Sequence, residues 1–209
     1  MKQIAQDLLN IKAVFLRPND PFTWASGIKS PIYCDNRLTL SYPEIRKRNA
    51  NGIADIIKTK YSDAEIVMGT ATAGIPHATL VADILNMPTG YVRGKAKDHG
   101  RQVQIEGKYE KGQKVVVIED LISTGGSSIE CVKVLEEAGL EVLAVISIFT
   151  YGMKKAKDNF AAANCKADSL VSFDELIEVA IENNYIAKED EKKVLKFMEN
   201  PSDESWMTL

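Results

Sequence analysis

The stretch V-V-V-I-E-D-L-I-S-T-G-G-S-S, Val115 to Ser128, decides how this chain is read. Val115 to Ile118 is an unbroken β-branched run, the pattern of a strand buried on both faces of a parallel sheet. Glu119 and Asp120 stand where that strand should end. Ser123, Thr124, Gly125, Gly126, Ser127 and Ser128 make a small, hydroxyl-rich turn, and Ile129 to Ala138 has helical spacing. Strand, acidic pair, glycine-rich turn and helix start together offer backbone N–H groups and the positive end of a helix dipole to an anion. Capping of the helix would explain a lone serine and glycine turn. The buried strand and the acidic pair argue instead for a phosphate site.

Two carboxylates do not suit a phosphate directly. They suit sugar hydroxyls, or a metal carried by the phosphate, on the same ligand. A ligand with phosphate, polyhydroxyl and metal-binding parts is a phosphorylated ribose.

Working outward, Ile66 to Met68 reads as a strand, Gly69 to Gly74 as a second small-residue turn, and Ile75 to Leu85 as the helix behind it. Thr89 to Arg93 and Val142 to Phe149 read as further strands. Strands alternating with helices imply α/β architecture, a central, mostly parallel sheet flanked by helices. Ligands of such sheets bind beyond the carboxyl ends of the strands. The turns at 69–74 and 119–127 both lie there, which suits a ligand with an anionic group at each end. So does the segment R-G-K-A-K-D-H-G-R, 93 to 101, with Arg93, Lys95, Lys97, His99 and Arg101. A basic run is usually a solvated surface. Placed at this edge, it reads as a lid that brings positive charge to a leaving polyphosphate.

The remaining chain is scaffold. Lys2 to Val14 reads as an amphipathic helix, and 17–31 as an ordered loop bearing Phe22 and Trp24. Ile32 to Asp35 is a short strand, and Pro43 to about Lys60 is a helix with Pro43 in its first turn. Arg46, Lys47 and Arg48 read as its solvated face, and His77 as a structural histidine. After Gly152, Ser172 and Glu175 make a capping box for a helix at Phe173 to Ile181, and Lys188 to Met198 is a shorter helix. These last helices read as packing or oligomer-facing elements.

At 209 residues, 45% apolar and 26% charged, the chain fits one self-sufficient globular domain with a small appended part. A net charge of −3 provides no basic field for nucleic acid. Cys34, Cys131 and Cys165 are odd in number and scattered, as expected of reduced thiols in the cytoplasm. No apolar run approaches the roughly 20 residues of a membrane helix. A Walker A loop, a G-x-G-x-x-G fingerprint and a G-x-S-x-G elbow are missing from the sequence, which argues against P-loop hydrolysis, hydride transfer and serine hydrolysis.

Val115 to Ser127 resembles the 5-phosphoribosyl 1-diphosphate (PRPP) motif of type I phosphoribosyltransferases. T-W-A-S-G-I-K-S-P-I-Y-C-D-N-R, 23 to 37, and R-G-K-A-K-D-H-G, 93 to 100, narrow the resemblance to orotate phosphoribosyltransferases. It spans roughly residues 1 to 150. It implies a hood over the base at 1–40, a phosphoribosyltransferase core at 41–152 with a flexible lid at 93–107, and C-terminal helices at 153–209. It also implies transfer of the 5-phosphoribosyl group from PRPP to orotate, yielding orotidine 5-monophosphate and pyrophosphate.

Glu119 and Asp120 would hold the ribose hydroxyls, with Asp120, Lys97 and His99 as the catalytic set. Ser123, Thr124, Gly125, Gly126 and Ser127 would cradle the 5-phosphate, Ser123 also touching orotate, and Leu121 and Ile122 would belong to the same substrate-binding stretch. Arg93, Lys97 and His99 would grip the pyrophosphate from a lid shared across a homodimer. Phe22 or Trp24 would lie near the base. Mg²⁺ would be held mainly by the ligand's phosphates and ribose. Some members carry lysines where this chain has Gly94 and Ala73, and near Ala25 or Ser26. A purine phosphoribosyltransferase and a non-catalytic PRPP-sensing regulator are the alternatives; 23–37 argues against the first, and the absence of a nucleic-acid surface against the second.

Overall fold

A computed structural model describes residues 2–24, 26–94 and 104–209. Its centre is a six-stranded sheet. In chain order the elements begin with α1 (Lys2–Asn10), β1 (Val14–Leu16), β2 (Phe22–Thr23), β3 (Lys29–Ser30) and β4 (Ile32–Cys34). The core follows as α2 (Pro43–Lys60), β5 (Ile66–Thr70), α3 (Gly74–Leu85), β6 (Thr89–Val92), β7 (Ile105–Glu106), β8 (Lys114–Ile122), α4 (Gly126–Glu137) and β9 (Glu141–Thr150). The chain closes with α5 (Lys154–Ala162), β10 (Ala167–Ser172), α6 (Phe173–Glu182) and α7 (Glu191–Glu199). The sheet order is β10-β9-β8-β5-β6-β7, parallel throughout except for the antiparallel β6–β7 pair.

β8 sits in the middle, which is why its apolar run is continuous. Val116 and Ile118 face one core, built with α1, α2, α3 and α6. Val115 and Val117 face a second core under α4 and α5. Both are fully buried, as the pleat requires of a strand covered on two sides.

Several expectations shift. The first helix stops at Asn10, because Val14 to Leu16 pairs antiparallel with Ile32 to Cys34 instead of continuing the helix. β8 does not end before the acidic pair. Pairing with β9 runs on through Glu119↔Ser147 to Ile122↔Thr150, so both carboxylates sit within the strand, in its second half. Arg48 is not merely solvated: its Nε donates to the buried Asp7 carboxylate at 2.6 Å, tying α2 to α1.

A strand missing from the sequence reading, β10, extends the sheet beside β9. Its residues A-D-S-L-V-S bury only Leu170 and Val171, too few to show a period. The predicted capping box is present, with Ser172 accepting from the Glu175 N–H and Glu175 from the Ser172 N–H. At the amino end, Trp24 packs on Tyr151 and Phe197, and Phe197 on the fully buried Trp206, so the hairpin and the tail are stapled together.

Candidate active site

The site lies at the carboxyl ends of β5, β6 and β8. The pleat separates the acidic pair. Glu119 continues the Val115 and Val117 row toward α4. It is 6% exposed, accepts from Ser128 Oγ at 3.3 Å, and accepts from the Asp120 N–H at 3.1 Å. Burial, with the Asp120 charge beside it, pushes its carboxyl up to about 7. Asp120 falls on the other row, half-buried, toward α3 and the hood. Its field reaches Cys34, Arg37 and His77.

Beyond β8, Gly125 turns with φ +75° at the head of α4, and a Cβ there would meet the Phe160 ring at 2.8 Å. The loop is held open from behind, because Asn159 Nδ2 donates to the Thr124 carbonyl at 2.8 Å. Gly126 and Ser127 are exposed at the helix start, while Ser123 and Thr124 are half-buried. Leu121 and Ile122 lie in the strand; Ile122 is buried and its carbonyl accepts from the Tyr151 N–H at 3.0 Å.

The second turn, 70–74, begins α3. Gly74 lies so close to β8 that a Cβ would stand 2.3 Å from the Ile118 carbonyl oxygen. The Ala71–Thr72 peptide within this turn is cis. Arg93 is brought to the same place: with Thr70, Ala71 and Ser127 it lines a cavity of about 60 Å³. Its guanidinium stands 3.5 Å from Glu106, and its N–H donates to the Gln104 carbonyl at 2.8 Å. Both small-residue turns and one predicted cation therefore converge. Lys97 and His99, with Lys95 and Arg101, lie outside the described residues.

A model described as a phosphoribosyl transferase domain matches residues 41–180. Relatives include the orotate phosphoribosyltransferases of Bacillus cytotoxicus, 57% identical over 99% of each chain, and of Listeria innocua, 58% identical over 96% of each. The chain belongs to the orotate phosphoribosyltransferases. Among solved structures, the orotate phosphoribosyltransferase of Aeropyrum pernix superposes with a TM-score of 0.76 at 27% identity, covering 88% of this chain and 99% of that one. The family assignment agrees with the fold, the two turns and the acidic strand end.

Some site residues escaped the sequence reading. Ser128 was read as one more loop hydroxyl, yet it is 1% exposed and bonds Glu119. Asn36 was one letter in a longer stretch. It is 1% exposed and its Nδ2 donates to the Asp120 carbonyl at 2.7 Å, which docks the hood against β8. A buried polar residue placed between two charged ones was the available signal. Trp24 turns inward, its Nε1 donating to the Ile32 carbonyl at 3.2 Å. The exposed hood aromatic is Tyr33, 41% exposed, with its ring 5.7 Å from Phe22. His77 is buried without a hydrogen-bond partner among the described residues, and burial lowers its pKa, favouring the uncharged ring.

Proposed function

We propose that the protein transfers the 5-phosphoribosyl group of PRPP to orotate, forming orotidine 5-monophosphate and pyrophosphate in pyrimidine synthesis. What supports this is the convergence of the two small-residue turns and Arg93 on one cavity at the carboxyl ends of the strands, with orotate phosphoribosyltransferases as near full-length relatives. The turn at 123–127 receives the 5-phosphate through backbone N–H groups and hydroxyls. The turn at 70–74, with Arg93, receives the pyrophosphate. Asp120, and Glu119 once ionised, face the ribose.

In the reaction a ring nitrogen of orotate attacks the anomeric carbon as pyrophosphate departs. Positive charge develops on the ribose and negative charge on the leaving oxygens. Asp120 answers the first and Arg93 the second, so both stabilise the transition state more than the ground state. Lys97 and His99, on the segment that follows Arg93, add donors at the pyrophosphate. We further propose a homodimer in which that segment completes the neighbouring subunit's site.

Among the described residues no group of three His, Cys, Asp or Glu could hold a metal. Asp120 alone suits Mg²⁺, whose remaining ligands would be phosphate and ribose oxygens; the ion would neutralise the pyrophosphate. Three free thiols support a cytoplasmic location, and among the described residues no helix is long and apolar enough to cross a membrane.

Orotate consumption with PRPP and Mg²⁺, followed by absorbance, is the test. Orotate should be consumed, and hypoxanthine and adenine should not. No turnover of orotate would overturn the assignment. In the same assay Lys97→Ala should lower turnover by about 100-fold or more while orotate affinity changes little, since its charge acts on the leaving group. Unchanged turnover would remove Lys97 from the mechanism.

A further inference from the structure

The acceptor base carries a carboxylate, and a site that selects it needs a cation beside the anomeric carbon. We propose that Arg37 is that cation: it binds the carboxylate of orotate through the open edge of its guanidinium. This rests on the reading of orotate as acceptor, and it adds the residue that chooses it.

Three observations carry the assignment. First, Arg37 is anchored next to the reacting centre. Its neighbour Asn36 is buried and bonded to the Asp120 carbonyl at 2.7 Å, which ties the chain at 36–37 to the backbone of Asp120. The field of Asp120 reaches Arg37, as does that of the exposed Tyr33. Arg37 therefore stands within electrostatic reach of both Asp120 and Tyr33, on the hood side of the strand end.

Second, the guanidinium is held and aimed. Nε donates to Asp35 Oδ1 at 2.6 Å and Nη2 to Asp35 Oδ2 at 2.9 Å. That fork uses one edge of the planar group. The edge formed by Nη1 and the second Nη2 proton makes no hydrogen bond among the described residues, and the side chain is 66% exposed. A guanidinium can take one carboxylate on each edge. Asp35 thus works as a permanent orienting partner and need not be displaced. It also removes rotamer freedom before the ligand arrives, which reduces the cost of binding.

Third, several of the other described cations of the hood and the turns are committed elsewhere. Lys29 donates to Thr23 on the outer hairpin, and Arg17 stands over the Phe22 ring at 5.0 Å. Arg93 faces Glu106 beside the pyrophosphate turn. Among the described residues, Arg37 is the cation joined through its neighbour to Asp120.

The test compares ligands that differ only by this carboxylate. Binding of orotidine 5-monophosphate and of UMP is measured by calorimetry for the wild type, Arg37→Ala and Arg37→Lys, alongside the KM for orotate and for PRPP. In Arg37→Ala the affinity for orotidine 5-monophosphate should fall about 10- to 100-fold, to the level of UMP, as expected for loss of one charged, bidentate contact. UMP binding and the KM for PRPP should stay within about twofold of the wild type, which also reports a folded site. The KM for orotate should rise in proportion. Arg37→Lys should recover only part of the loss, since an ammonium is a point charge without the fork. A variant that keeps the wild-type preference for orotidine 5-monophosphate over UMP overturns the role of Arg37, as does an effect that falls on PRPP instead. Failure of the wild type to consume orotate overturns the functional reading itself, before any variant is compared.

Discussion

Glu119 and Asp120 are adjacent and chemically alike, yet the pleat gives them different environments. Asp120 faces α3 and the hood. Glu119 is enclosed with Ser128, and burial raises its carboxyl from an ordinary 4.5 to about 7. A carboxyl whose folded pKa is raised binds its proton more tightly in the folded state. Its contribution is therefore full below pH 4.5, and it is lost as pH rises toward 7. At pH 8 the buried charge costs up to about 3 kcal/mol. Glu119→Gln removes that charge while keeping an acceptor for Ser128. In urea unfolding the variant should exceed the wild type by about 1–3 kcal/mol at pH 8, with the advantage shrinking by pH 5. An equal difference at both pH values would show that the carboxyl is not held neutral. Turnover should still fall at least about tenfold, because the ionised form is needed near the ribose. At Gly74 the issue is space. A methyl group 2.3 Å from the Ile118 carbonyl forces α3 away from β8. Gly74→Ala should cost about 2–3 kcal/mol of stability and weaken PRPP binding together, because the displaced helix carries the turn proposed to receive the pyrophosphate.

Elements announce themselves in sequence when their burial has a pattern. Val115 to Ile118 was legible because both faces of β8 are covered, and Pro43 to Lys60 because proline, Glu44 and the terminal lysines mark its ends. The capping box at Ser172 was legible from two residues. Ser172→Ala should cost about 1 kcal/mol, read from the urea midpoint, and leave kcat/KM for orotate unchanged, since α6 packs on α1 and β10. A loss of activity at full stability would place α6 nearer the chemistry. β10 was not legible. It is an edge strand, and Asp168 within it serves Lys60 and Tyr61 at 2.6 Å each. Such a strand takes its shape from its neighbours more than from its own residues. The site divides in the same way. The loop at 123–127 could be read locally, because glycines, hydroxyls and a helix start sit in series. The bond from Asn36 to Asp120 spans 84 residues and depends on how the hood meets the sheet, which no local pattern encodes.

At the scale of the whole molecule, the described residues place Arg93 at the edge of the site, with Glu106 beside it on the returning strand. Lys97 and His99 belong to the segment between them, and the proposed homodimer assigns that segment to the neighbouring subunit's site. This has an arithmetical consequence that a self-contained subunit does not share. Take two inactive variants, Lys97→Ala and Asp120→Asn, and let their subunits exchange at equal amounts. Random pairing makes about half of the dimers mixed. If the segment crosses the interface, each mixed dimer has one site carrying both defects and one site with Asp120 and Lys97 intact. About a quarter of wild-type activity should then return, although neither parent has any. If the segment folds over its own subunit, every site retains one defect and mixing restores nothing. Orotate consumption before and after exchange decides between the two, with the dimer itself checked by sedimentation. Recovery near one quarter also requires that the two sites work independently. A clearly different value, with mixed dimers present, would mean that closure of one site depends on its twin.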